Sequence, residues 1–213
     1  MDIRAVIFDL DGVLVFTDQY HFRAWKQLAD ELRIPFDKEI NHGLRGVSRM
    51  KSLEIILEAY QGIPFSEEEK VVLAERKNNI YKSLLKQMDS SDVSIEVKRT
   101  LIELKRRGYR VAIGSSSKNA GFILQKVNIL DFFEAVSDGN NISKSKPNPE
   151  VFLKAAAYLG ELPEHCLVVE DAEAGIEAGI AGKMKTAAIG NAIKCKKADY
   201  ELETIEDLLK YLR

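Results

Sequence analysis

The chain's 213 residues are enough for one substantial core, or for a core domain carrying a small insertion. Its 46% hydrophobic and 30% charged content is ordinary for a globular protein, and a formal net charge of -2 argues against a general nucleic-acid or membrane-surface binder. No apolar run approaches the roughly 18 residues of a membrane span, and Cys166 and Cys195 lack the spacing of a disulfide framework or a zinc site.

The first residues, "MDIRAVIFDLDG", show neither the long apolar region nor the small-residue cleavage site of a secretory leader, so the expected location is the cytoplasm. Within them "AVIFDL" (5–10) reads as a buried strand. No convincing strand follows between 18 and about 86. Helical patterns lie near 18–32, 37–43, 50–61 and 66–86, with turn signals at "RIP" and "GIP". From there helices alternate with short β-branched runs. A helix at 93–107 leads to "RVAIGS" (110–115), and one at 119–127 to "EAVSD" (134–138). A helix at 149–160 leads to "CLVVED" (166–171), and one at 172–181 to "MKTAAIG" (184–190); a last helix covers 204–212. This alternation predicts an α/β fold, a three-layer Rossmann-like core with a parallel sheet covered on both faces. The all-helical block reads as an inserted cap. The expected core is 1–15 with 88–213, and the expected cap is 16–87.

Three of the strand-like runs end in polar groups: Asp9 and Asp11 after the first, Ser115 after "VAIG", and Glu170–Asp171 after "LVV". In an open parallel sheet, ligands bind at the carboxyl ends of the strands. One aspartate at such an end reads equally as a helix cap or a turn. Several carboxylates meeting in one cleft repel, and a hard cation such as Mg²⁺, which favours oxygen ligands, removes that repulsion. Lys146 in "SKSKPNPEVF" precedes a helix that Pro147 and Pro149 help to start. Alone it is a solvated lysine; beside an acidic cluster it can neutralise a nucleophilic aspartate and an incoming phosphate together. "GSSSKNAGF" (114–122) supplies hydroxyls, a lysine and backbone N–H groups for an anion, although a serine run by itself is commonly only a loop.

Taken together, these residues resemble the haloacid dehalogenase superfamily of phosphoryl-transfer enzymes: "FDLDGV" its first motif, Ser115 its second, Lys146 its third and "EDAEAG" its fourth. "YHFRAWKQLADEL", "LRGVSR" and "ERKNNIY" in the cap, with "SSSKN" and "SKPNP" in the core, are similar to its β-phosphoglucomutase branch. The resemblance implies Asp9 as the nucleophile that carries the phosphoryl group and Asp11 as the general acid/base. It implies Mg²⁺ held by Asp9, the backbone carbonyl of Asp11, Glu170 and Asp171, with Ser115 and Lys146 on the transferring phosphoryl group. Residues two apart on an extended segment point the same way, which suits this division between Asp9 and Asp11.

The branch also implies a mutase, which turns over a small phosphosugar through glucose 1,6-bisphosphate as activator and intermediate. A sugar-phosphate phosphatase on the same aspartyl chemistry is the alternative, and a non-catalytic phosphosugar-binding module a third. By the same resemblance Arg49, Ser117, Lys118 and Asn119 bind the second phosphate, while His21, Trp25, Gly46, Val47, Ser52 and Lys77 line the sugar side of the cap. Read alone, Trp25 and His21 are packed residues on the face that also carries Leu28 and Leu32, Ser52 and Lys77 are solvated, and Arg49 reads equally as a surface arginine at a helix start or as a phosphate ligand. One departure stands out. Phe16 occupies the position where the family carries an acid, while Thr17 is kept, which puts the first linker into the cap in question. The resemblance implies neither a nucleic-acid nor a membrane partner, and nothing calls for more than a monomer.

Overall fold

The computed structural model describes residues 2–44 and 48–212. Cα packing divides the chain into two compact units, one made of Met1–Phe16 with Met88–Arg213 and the other of Thr17–Gln87.

The first unit is built on a six-stranded sheet. Its strands are β1 (Ala5–Phe8), β2 (Arg110–Gly114), β3 (Ala135–Ser137), β4 (Cys166–Glu170), β5 (Lys185–Ile189) and β6 (Tyr200–Leu202). All neighbours run parallel in the order β3-β2-β1-β4-β5-β6. Every residue of β1 and β4 is buried, as expected of central parallel strands covered on both faces. The helices are α5 (Ile95–Arg106), α6 (Ala120–Lys126), α7 (Glu150–Leu159), α8 (Glu173–Ala181) and the single turn α9 (Leu208–Tyr211), following four in the other unit. Ala5 and Ile7 pack with Phe152, Ala155 and Leu159 of α7. Strand alternation turns Val6 and Phe8 to the opposite face, where Phe8 meets Phe133 edge to face at 6.5 Å. Cys166 belongs to this core; burial, and then Glu161, push its thiol up to about 12, so it is an inert packing group.

The second unit holds α1 (Asp18–Glu31), α2 (Lys38–His42), α3 (Arg49–Leu57) and α4 (Glu67–Leu85). Its apolar centre gathers Trp25, Leu28, Ile34, Phe36, Leu53 and Ile56, with α4 packed on both α1 and α3. Ser66 and Glu69 close a reciprocal capping box at the start of α4, and Asp37 caps α2 by accepting from Glu39 and Ile40. Among the described residues no helix is long and apolar enough to cross a membrane.

The sheet is α/β and parallel, as the alternating pattern predicts, with three differences of detail. A sixth strand, Tyr200–Leu202, adds to β5 in a stretch without strand-like alternation. The expected helix at 204–212 is a 3-10 turn, Ile205–Asp207, followed by the single turn α9; the Thr204–Asp207 capping box starts that turn. Helix α3 ends at Leu57 rather than 61, its last turn tightened by Ala59 and Tyr60 N–H groups donating to Ile56 and Leu57.

Candidate active site

Strand register places the polar strand ends along one edge of the sheet. Phe8 pairs with Ile113 on one side and Val169 on the other, so Asp9, Gly114–Ser115 and Glu170–Asp171 leave the sheet at the same level. The Asp9 N–H continues the ladder by donating to Val169 at 2.9 Å. Its side chain is buried, and so is that of Glu170.

Lys146 reaches this edge from the loop before α7. Its Nζ donates to Asp9 Oδ1 at 2.5 Å and lies 3.4 Å from Glu170 Oε1, with the Phe152 ring 4.7 Å beneath it. Burial works against the Lys146 charge, but Asp9 and Glu170 outweigh it and the pKa is raised; the lysine stays protonated. Asp9, Glu170 and Asp171 each offer an oxygen within 4.8 Å of the others. Burial, then the charges of Asp9 and Asp171, push Glu170 well above the usual carboxylate range despite Lys146. Three carboxyl groups facing one ammonium leave an excess of negative charge, and an all-oxygen donor set suits a hard divalent cation. The backbone is shaped around these acids. Gly12 has φ +89°, and a Cβ there would lie 2.1 Å from Asp171 Oδ2; a Cβ at Gly175 would lie 1.8 Å from Glu170 Oε1. The Asp11 side chain is not one of the three clustered carboxylates. Asp11 sits in a tight loop closed by the Gly12 N–H donating to Val15 at 2.7 Å.

Ser115 follows β2 and is buried; its N–H donates to Ser137 at 3.0 Å. Its Oγ accepts from the Ser117 N–H, and Ser117 Oγ accepts from the Asn119 N–H, each at 3.2 Å, so 115–119 is a chain of Ser turns. Ser116 Oγ is buried without a hydrogen-bond partner. The turn after β3 braces this loop. Asn140 donates to the Lys118 carbonyl at 2.9 Å, and Gly139 packs so near that a Cβ would lie 2.5 Å from the Ser116 carbonyl oxygen. Asp138 and Asn140, which carry this support, went unread in the sequence because the contact joins segments 22 residues apart.

In the helical unit, Lys77 and His21 come together across α4 and α1. Lys77 Nζ lies 2.9 Å from His21 Nδ1 and 4.7 Å from the ring centres of both Trp25 and Tyr81, and it is buried. Burial, then Lys77, then Arg49 hold His21 well below the ordinary 6.5, so its ring is neutral and Nδ1 accepts from the lysine. The solvated reading of Lys77 therefore fails, and Trp25 is at once a core residue and a cation–π partner. Ser52 is buried as well. Arg49, the first residue of α3, pairs with Glu75 of α4 at 2.9 Å. Gly46 and Val47 lie outside the described residues. Phe16 is 70% exposed at the end of the first unit.

A family model described as haloacid dehalogenase-like hydrolase matches residues 3–183. The chain is 40% identical over 208 residues to a Bacillus subtilis β-phosphoglucomutase, covering 97% of this chain and 92% of that protein. It is 28% identical over 176 residues to a Thermotoga maritima phosphorylated carbohydrates phosphatase, covering 83% and 80%. A solved β-phosphoglucomutase structure from Clostridium difficile superposes with a TM-score of 0.90 at 39% identity, covering 98% of this chain and 95% of that one.

Proposed function

The chain belongs to the haloacid dehalogenase-like hydrolase family, and on that premise we propose that it is a β-phosphoglucomutase interconverting β-D-glucose 1-phosphate and D-glucose 6-phosphate. The observation that carries this reading is the buried group at the sheet edge, Asp9 held by Lys146 beside Glu170 and Asp171, in a chain alike over nearly its full length to proteins of that activity.

Asp9 is the nucleophile, carried between turnovers as its aspartyl phosphate, an acyl phosphate. It passes the phosphoryl group to the 6-hydroxyl of β-glucose 1-phosphate while Asp11 takes the hydroxyl proton. The resulting 1,6-bisphosphate returns in the opposite orientation: Asp9 oxygen bonds to the 1-phosphorus, the bond from phosphorus to O1 breaks, and Asp11 returns the proton to O1. Lys146 and Ser115 meet the charge on the equatorial oxygens during each in-line transfer. Asp9, Glu170, Asp171 and the backbone carbonyl of Asp11 would hold Mg²⁺, which supplies further charge neutralisation for the phosphoryl group. Arg49, with Ser117, Lys118 and Asn119, binds the phosphate that is not being transferred. His21, Trp25, Ser52 and Lys77 serve the sugar. In these terms the unit holding the sheet is the catalytic core, the helical unit is the cap, and the enzyme is a cytoplasmic monomer with glucose 1,6-bisphosphate as its activating intermediate.

The likeness to a phosphorylated carbohydrates phosphatase favours one competing outcome, transfer of the Asp9 phosphoryl group to water. Rapid acid quench after mixing with the bisphosphate tests the shared chemistry. One phosphoryl group per chain should appear on the peptide containing Asp9 and be absent from Asp9→Asn. Labelling elsewhere, or full turnover by Asp9→Asn, would remove Asp9 from its role.

A further inference from the structure

We propose that Glu150 is the positioning residue for Lys146: its carboxylate fixes the segment 143–146 and thereby sets the approach of the lysine to Asp9 and the transferring phosphoryl group. The inference rests on the reading of Lys146 given above. Glu150 is the first residue of α7, where an acid commonly does no more than meet the helix dipole. Here it does something more specific. Oε2 accepts three hydrogen bonds, from Ser143 N–H at 3.0 Å, Ser143 Oγ at 2.8 Å and Lys144 N–H at 2.8 Å. Oε1 faces Lys154 Nζ at 2.9 Å, one turn along the helix. Lys154 first, and then those same hydrogen bonds, hold the carboxyl at about 2, so it is ionised throughout the working range.

The rest of the loop is held in series. Lys154 Nζ also donates to the Asn141 carbonyl, Asn141 Oδ1 accepts from Ser137 Oγ at 3.1 Å and Asp138 N–H at 3.2 Å, and Asn148 N–H donates to the Ser145 carbonyl at 3.1 Å. The Glu150 N–H donates to Asn148 Oδ1 at 3.1 Å, so one residue anchors the loop on both sides of Lys146. Lys146 is the only side chain of 143–146 that reaches Asp9 among the contacts described. A loop free to move by about 1 Å misplaces Nζ relative to the reacting oxygens, and such a displacement costs on the order of a hundredfold in rate.

A double-mutant cycle separates positioning from general destabilisation. Glu150→Ala should lower kcat/KM by about tenfold or more with Lys146 present, and by less than about twofold in a Lys146→Ala background. Glu150→Gln, which keeps one carbonyl acceptor for the loop N–H groups, should recover most of the rate; if the alanine variant folds poorly, Glu150→Asp, which keeps the charge but shortens the reach to Ser143 and Lys144, takes its place in the cycle. Where Lys146→Ala leaves no measurable turnover, the cycle is read in the dissociation constant for inorganic phosphate. Equal losses in both backgrounds, or an unaffected Glu150→Ala, would overturn the positioning role. Lys146→Ala turning over like the unaltered protein would instead take down the reading of Lys146 on which it rests.

Discussion

Replacing Lys146 with Met removes one charge while leaving an apolar stem of similar length against Phe152. Only 7% of the Lys146 side chain and 9% of that of Asp9 are exposed, and Glu170 beside them is 2% exposed, so solvent screens these charges little. Breaking a buried pair by removing one partner costs about 3–5 kcal/mol, because the remaining charge has no compensation. Here three acids would be left facing one another, and the loss should fall in that range when Mg²⁺ is absent. A divalent cation binding the same acids supplies the missing charge and is no longer repelled by the ammonium, so added Mg²⁺ should narrow the gap between variant and unaltered protein. Turnover should fall about 10²–10³-fold, the usual effect of removing one preorganised donor to a charged transition state. Urea unfolding with and without Mg²⁺, alongside steady-state kinetics, reads both quantities. A stability gap that Mg²⁺ leaves unchanged, together with turnover within about threefold of normal, would refute the placement of Lys146 among metal-binding acids.

Gly175→Ala, inside α8, would ordinarily stabilise a helix by about 0.5–1 kcal/mol. With its Cβ 1.8 Å from Glu170 Oε1 it should instead displace that carboxylate, and the Mg²⁺ concentration for half-maximal activity should rise; an unchanged half-saturation would argue against Glu170 as a ligand. His21, held well below 6.5, gives a pH signature: below about pH 6.5 the unfolded chain takes up a proton that the folded one refuses. Stability is therefore full above that pH and falls by up to about 1.4 kcal/mol per pH unit beneath it, a slope that His21→Asn should reduce by one proton in urea titrations. Glu75→Gln frees the Arg49 guanidinium from a bond that a phosphate would have to displace if Arg49 binds it as proposed. Because Glu75 is exposed the bond is weak, so KM for the phosphosugar should drop by about two- to fivefold with kcat unchanged, and a rise in KM would mean that Glu75 instead orients Arg49 for its ligand.

Much of the core was legible because parallel strands buried on both faces must be continuous apolar runs, and "AVIF" and "CLVV" are such runs. A charged residue directly after one stands out against that background, which is how Asp9, Glu170 and Asp171 could be read. Strand β6 has no such signature: three residues at a sheet edge, with Glu201 exposed, leave little hydrophobic pattern. Pairings between distant helices were equally silent. Lys77 on a charged stretch reads as solvated until α4 packs on α1 and brings it to His21, 56 residues away. Glu150 was hidden for another reason, since an acid opening a helix already has an ordinary explanation and its loop partners lie six and seven residues back.

The partition of the transferred phosphoryl group between sugar and water decides between mutase and phosphatase most directly. With β-glucose 1-phosphate, Mg²⁺ and a trace of glucose 1,6-bisphosphate, glucose 6-phosphate should accumulate while free phosphate stays a minor product. Rapid release of free phosphate with little glucose 6-phosphate would contradict the mutase assignment and leave a sugar-phosphate phosphatase on the same residues.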